Sequence, residues 1–137
     1  MTIAKRLMLA AGLAAAVLPA AVSTAPAAPN GRLDAMLRRL EPETRFEQVC
    51  DIELMARIRA DSSPFRPDRV VGGALEPPHH EGTVLSGKGA ALRSGGLWYR
   101  LSFECRTTPD HMRVLELTYR VGEAIPEEAW GDYGLWR

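Results

Sequence analysis

Cys105, Asp110 and His111 stand within seven positions in "FECRTTPDH", where a thiol, a carboxyl and an imidazole come close together in the chain. Such groups can activate a nucleophile or hold a metal ion if the fold brings them to one point. His79 and His80, followed by Glu81, could join His111 around zinc or copper, since imidazole and carboxylate suit both ions. Ser62, Ser63, Ser86, Ser94 and Ser102 are the hydroxyls open to a hydrolase that uses His111 and Asp110, but none sits in a Gly-x-Ser-x-Gly elbow. Trp98, Arg100, Arg106 and Arg120 form a different set: arginine beside an aromatic ring can hold a carboxylate, a phosphate or a sugar acid. Trp130, Tyr133 and Trp136 could stack on a glycan or could close the end of a small core.

The elements that must position these groups decide among the readings. In "LWYRLSFEC", Leu97, Tyr99, Leu101, Phe103 and Cys105 alternate with Trp98, Arg100, Ser102 and Glu104, which predicts a half-buried antiparallel strand. Thr108-Pro109-Asp110-His111 reads as a β-turn with proline second and aspartate third. "MRVLELTYRV" then alternates again, with Leu115, Leu117, Tyr119 and Val121 on the inner face. Asp110 and His111 are therefore predicted at a hairpin tip and Cys105 further back, facing inward, so the trio separates. "EPPHHEG" reads as a loop, since its prolines remove consecutive backbone donors, and it leaves His79 and His80 solvated. "RVVGGAL" is a short strand weakened by Gly72 and Gly73, and "TVLSGKGAALR" a weak strand that is bulged or at an edge. "SGG" supplies a tight turn between that strand and the next.

Ahead of the strands, "RLDAMLRRL" places Leu33, Met36, Leu37 and Leu40 on one face of a short helix. "EPETRFEQVCDIELMARIRAD" is a longer helix with Pro42 in its first turn. Phe46, Val49 and Cys50 fall on one stripe of it, which Glu53 extends, with Ile52, Met55 and Arg59 beside it. "IPEEAWGDYGLW" starts a helical turn at Pro126. The predicted architecture is α+β: two N-terminal helices packed on one face of an antiparallel sheet of about four strands, with a short C-terminal helical turn.

The N-terminus reads as an address. Lys5 and Arg6 precede the apolar run Leu7 to Leu18, then come Pro19 and small residues, the order of a cleavable signal peptide over residues 1–27. The run is too short to span a bilayer, which argues against a retained anchor. Residues 28–137 are then a single periplasmic domain with no transmembrane segment. The whole chain carries 17 bases and 17 acids, and the signal segment removes two bases and no acid, leaving a net charge of −2. That balance excludes the basic surface of a nucleic-acid binder. Cys50 and Cys105 are the only two cysteines, and in an oxidising compartment such a pair is most simply a disulfide. A reactive thiol beside a base in space is the alternative.

At "RFEQVCDIELMARI", "PDRVV" and "GLWYRLSFECRTTPDHMRVLELTYRVGEAIPEEAWGDYGLW" the chain resembles a bacterial family of exported proteins, found chiefly in alphaproteobacteria and catalogued as domain of unknown function 930. The resemblance implies an exported single domain containing the paired cysteines Cys50 and Cys105, and brings no catalytic residue or ligand with it. The expectation is a non-enzymatic, envelope-associated binding or interaction domain without cofactor. Its partner would be an envelope protein or a small anionic ligand held by Trp98, Arg100, Arg106 and Arg120. The alternative is a periplasmic hydrolase or metal-binding protein that uses the loop histidines.

Overall fold

Proline and glycine punctuate the chain where its elements begin and turn. A computed structural model describes residues 31–137; the predicted signal peptide lies outside the described residues. Helices α1 (Gly31–Leu37) and α2 (Pro42–Ala60) precede strands β1 (Pro67–Val71), β2 (His79–Glu81), β3 (Val84–Ser94), β4 (Leu97–Thr107) and β5 (Val114–Ala124). Two 3-10 turns, Glu127–Ala129 and Gly131–Tyr133, follow. The class is α+β, as predicted.

Pro42 opens α2, at a position where a missing N–H leaves no helical bond unmade. Phe46, Cys50, Leu54 and Ile58 recur at every fourth residue and are buried with Leu85, Leu92, Leu101, Phe103, Cys105 and Leu117 of the sheet. The stripe therefore runs through Leu54 and Ile58 and leaves out Glu53, which sits half-exposed beside Arg57. Burying each of these apolar side chains stabilises the fold by about 1.5–3 kcal/mol.

The expectation that both helices lie on the sheet needs correction. With seven residues, α1 buries only Leu37, which packs against Val49 of α2 and Met112 of the turn after β4. Arg45 holds this arrangement. Its Nε donates to the Leu37 carbonyl at 3.0 Å, Nη2 to Leu40 at 3.1 Å and Nη1 to Asp110 at 3.0 Å. One guanidinium thus satisfies carbonyls at the end of α1 and ties them to the β4–β5 turn.

All strand pairs are antiparallel, in the order β1-β3-β4-β5, with β2 also paired to β3. The sheet has five strands where the sequence suggested about four. The additional one is His79–Glu81, read from sequence as loop, which pairs with Val84–Ser86. Three residues are too few to show an alternation, and the prolines before them hide the strand. β1 and β2 lie end to end along one side of β3, so β3 is interior and not an edge. Its glycines do mark the expected bulge, between Gly87 and Ala90. Gly95 and Gly96, at φ 59° and 79°, make the β3–β4 turn, where a two-residue hairpin needs positive φ at both positions.

The alternation in β4 assigns faces correctly but not what covers them. Leu101, Phe103 and Cys105 face α2. Trp98 points the other way and is 0 % exposed, because the chain after β5 folds back over that end of the sheet. There Ala91, Trp98, Ile125, Trp130 and Leu135 form a second core, so Trp130 closes a core, while Trp136 stays half exposed. Beyond this cover the same face, carrying Arg100, Glu104 and Arg106, is bare among the described residues. Leu115, expected inside, is 61 % exposed: a bulge between the pairs Thr107↔Val114 and Arg106↔Glu116 takes it out of the inward rhythm.

Candidate functional site

The grouping in "FECRTTPDH" separates as the hairpin reading predicts. Cys105 is bonded to Cys50, and both are fully buried. His111 N–H donates to the Thr108 carbonyl at 2.9 Å, closing the predicted β-turn. Asp110 Oδ1 accepts from the Thr108 hydroxyl at 2.6 Å and from the Met112 N–H at 3.1 Å, and these bonds hold its carboxyl below the usual value.

Two of the histidines, His80 and His111, are less solvated than predicted. His111 stacks on Phe46 with ring centroids 4.0 Å apart, and its Nδ1 lies 2.9 Å from the Thr107 hydroxyl. Burial and the nearby Arg45 guanidinium push its pKa down. His80 is half-buried in β2. Its Nε2 meets Glu47 at 2.9 Å, its Nδ1 faces Glu43 at 3.7 Å, and its edge meets the Phe46 ring. His79 is exposed beside Glu81. His80 and His111 thus both contact the one Phe46 ring while their nitrogens meet different groups, and among the described residues no three His, Cys, Asp or Glu side chains are placed to hold one ion. A hydrolase would need a hydroxyl open to substrate beside a histidine. Thr107 is the hydroxyl beside His111, and it is 1 % exposed.

Asp51, one turn beyond Glu47 on α2, escaped the sequence reading. A Cβ at Gly72 would lie 3.4 Å from its Oδ1, so the carboxyl abuts the end of β1. Burial, with the nearby Glu47 carboxylate adding, pushes its pKa from 3.8 to about 7. A carboxyl raised this way favours the folded state below its unfolded pKa, and that advantage is lost as pH rises through about 7. Between those values Asp51 should reduce stability by up to about 1.4 kcal/mol per pH unit. Asp51→Asn is expected to flatten the fall between pH 4.5 and 8 in urea denaturation. An equally steep fall in the variant would assign the effect elsewhere.

The bare part of the sheet face carries the remaining candidates. Trp98 is not among its exposed groups: its Nε1 donates to the Trp136 carbonyl at 2.7 Å. The arginine beside its ring is Arg93, 5.7 Å from the centroid and held by both oxygens of Asp68. Arg106 pairs with Glu116 at 3.1 Å. Arg100 and Arg120 come together at a shallow depression of about 260 Å³, and with them comes Lys88, which the sequence reading missed. Lys88 sits in the β3 bulge, between residues paired to β4 on either side, opposite Ser102. Its signal was present in "SGKG": a bulge between glycines re-aims the side chain it contains. Gly122 keeps the depression open, since a Cβ there would lie 3.3 Å from the Arg100 Cβ. None of these three cations is ion-paired among the described residues. Three unpaired cations around a shallow, hydroxyl-lined floor can hold an anion by charge-assisted hydrogen bonds.

A family model, Domain of Unknown Function (DUF930), matches residues 37–135. The chain belongs to this family. The DUF930 match takes in α2, all five strands, both cysteines and the Lys88, Arg100 and Arg120 cluster. No curated protein and no solved structure matches the chain.

Proposed function

We propose that this DUF930 domain is a non-enzymatic binding module of the periplasm that takes a small anion on its bare sheet face. The observation that carries the reading is the meeting of Lys88, Arg100 and Arg120 around one depression without an ion-paired carboxylate among the described residues. Two further observations support it. The histidines that would serve a hydrolase face carboxylates or a buried hydroxyl. The signal-like N-terminus and the buried disulfide agree with an oxidising compartment. No described helix is long and apolar enough to cross a membrane.

The binding test uses two probes, inorganic phosphate and glucuronate, titrated at low salt and followed by amide chemical shifts. Both are expected to move resonances of Ser102 and its neighbours, and the Lys88→Ala/Arg100→Ala double variant should bind at least about tenfold more weakly. Shifts confined to other surfaces, or none at millimolar probe, would sink the site. For location, N-terminal sequencing of the protein from a periplasmic fraction should give a start between Val22 and Pro29. An intact Met1 in the membrane fraction would show a retained anchor instead.

A further inference from the structure

The two sides of the sheet end differently. One side is broken: β1 and β2 share it end to end, with five and three residues, and short edges of this kind do not template another strand. The other side is β5, 11 residues long, with no strand beyond it among the described residues. Such an edge presents a row of backbone donors and acceptors to any chain that can match it.

The side chains of β5 say what matches. Leu117 and Tyr119 pair with Cys105 and Phe103 and so lie on the α2 face, while Glu116, Thr118 and Arg120 lie on the bare face and are exposed. We infer that β5 pairs antiparallel with β5 of a second copy about a two-fold axis through Thr118, making one continuous sheet; this goes beyond the anion-binding reading and does not depend on it.

The register follows from charge. A two-fold axis perpendicular to the sheet keeps each face on its own side, so residues pair only with residues of the same face. Centred on Thr118, Glu116 lies opposite the partner's Arg120, Arg120 opposite the partner's Glu116, and Leu117 opposite the partner's Tyr119. Centring on Leu117 or Tyr119 sets both charges against uncharged residues, and centring on Glu116 or Arg120 sets like against like. Within the regular stretch between the two bulges of β5, only the Thr118 register satisfies both charges. Glu116 already holds Arg106 at 3.1 Å, so its carboxylate would lie between that guanidinium and the partner's Arg120. Arg120 has five N–H donors, enough to meet this carboxylate and still face the depression beside Arg100.

Complementary variants test the pairing by sedimentation at low salt over a wide concentration range. The wild-type chain is expected to show a reversible monomer–dimer equilibrium. Glu116→Arg alone sets arginine against arginine and Arg120→Glu alone sets glutamate against glutamate, so each should dimerise at least about tenfold more weakly. An equimolar mixture of the two variants restores both opposite-charge pairs and should recover dimer as a heterodimer. Both positions are exposed, and circular dichroism should be unchanged. A wild-type chain that stays monomeric to about 1 mM overturns the inference and leaves the edge to a strand from another protein. A dimer indifferent to both variants, or a mixture that stays monomeric, overturns it equally by placing the contact elsewhere.

Discussion

Removing the Cys50–Cys105 bond is expected to cost the fold about 4 kcal/mol. The bond joins α2 to β4 across 55 residues, and the chain-entropy account of a loop that long gives this figure. Both sulfurs sit in the main core, 0 % exposed, between the helix stripe and the inward face of the sheet. The bond therefore restrains α2, whose stripe covers that face. A domain of this size has roughly 5–15 kcal/mol in total, so the loss should lower the melting temperature by roughly 15–30 °C. Cys50→Ala, Cys105→Ala and the double variant should fall to similar midpoints, because each removes the same bond. Urea denaturation with and without reductant checks the figure, and a loss under about 1 kcal/mol would show that the crosslink restrains little.

Trp98→Ala should be nearly as damaging, at about 3–5 kcal/mol, because it empties the centre of the second core. The ring is fully buried among Ala91, Ile125, Trp130 and Leu135, with Trp136 edge-on at 5.4 Å. Its N–H to the Trp136 carbonyl also pins the chain end onto the sheet. Trp98→Phe keeps part of the apolar volume but leaves that carbonyl without its donor, so it should fall between wild type and alanine. Denaturation midpoints together with near-ultraviolet circular dichroism read both effects. If Trp98 served a ligand instead, the alanine variant would lose binding while its midpoint stayed put.

Trp98 also shows how far the sequence could be read. Alternation in β4 gave the face of every residue from Trp98 to Cys105, because a strand has a fixed period of two. It could not show that residues 125–135 return to cover one end of that face, since their docking is a long-range event without local periodicity. Cys50 and Cys105 were legible for a complementary reason: each lay beside apolar neighbours on the inward side of its element, Cys50 in line with Phe46 and Val49, Cys105 with Leu101 and Phe103. Lys88 and Asp51 were not. Lys88 reaches the depression through a bulge whose glycines were visible but whose aim was not, and Asp51 is perturbed by a β1 end that only the folded chain brings to α2. His79 and His80 were misread because a three-residue strand carries no pattern of its own.

β3 has a further consequence, which lies in the order of opening. Val84–Ser86 is flanked by β2 and β4, and Ala91–Ser94 by β1 and β4, so these stretches have a paired neighbour on each side. Within the 3-10 turns at Glu127–Ala129 and Gly131–Tyr133 the backbone bonds span only three to five residues. Amide exchange in those turns needs only local fraying, whereas exchange near Leu85 and Leu92 needs two ladders to part together, which amounts to unfolding the domain. Slow protons should therefore lie not only in β4, which β3 and β5 flank along most of its length, but also in a glycine-interrupted strand, the segment whose composition promises the least order.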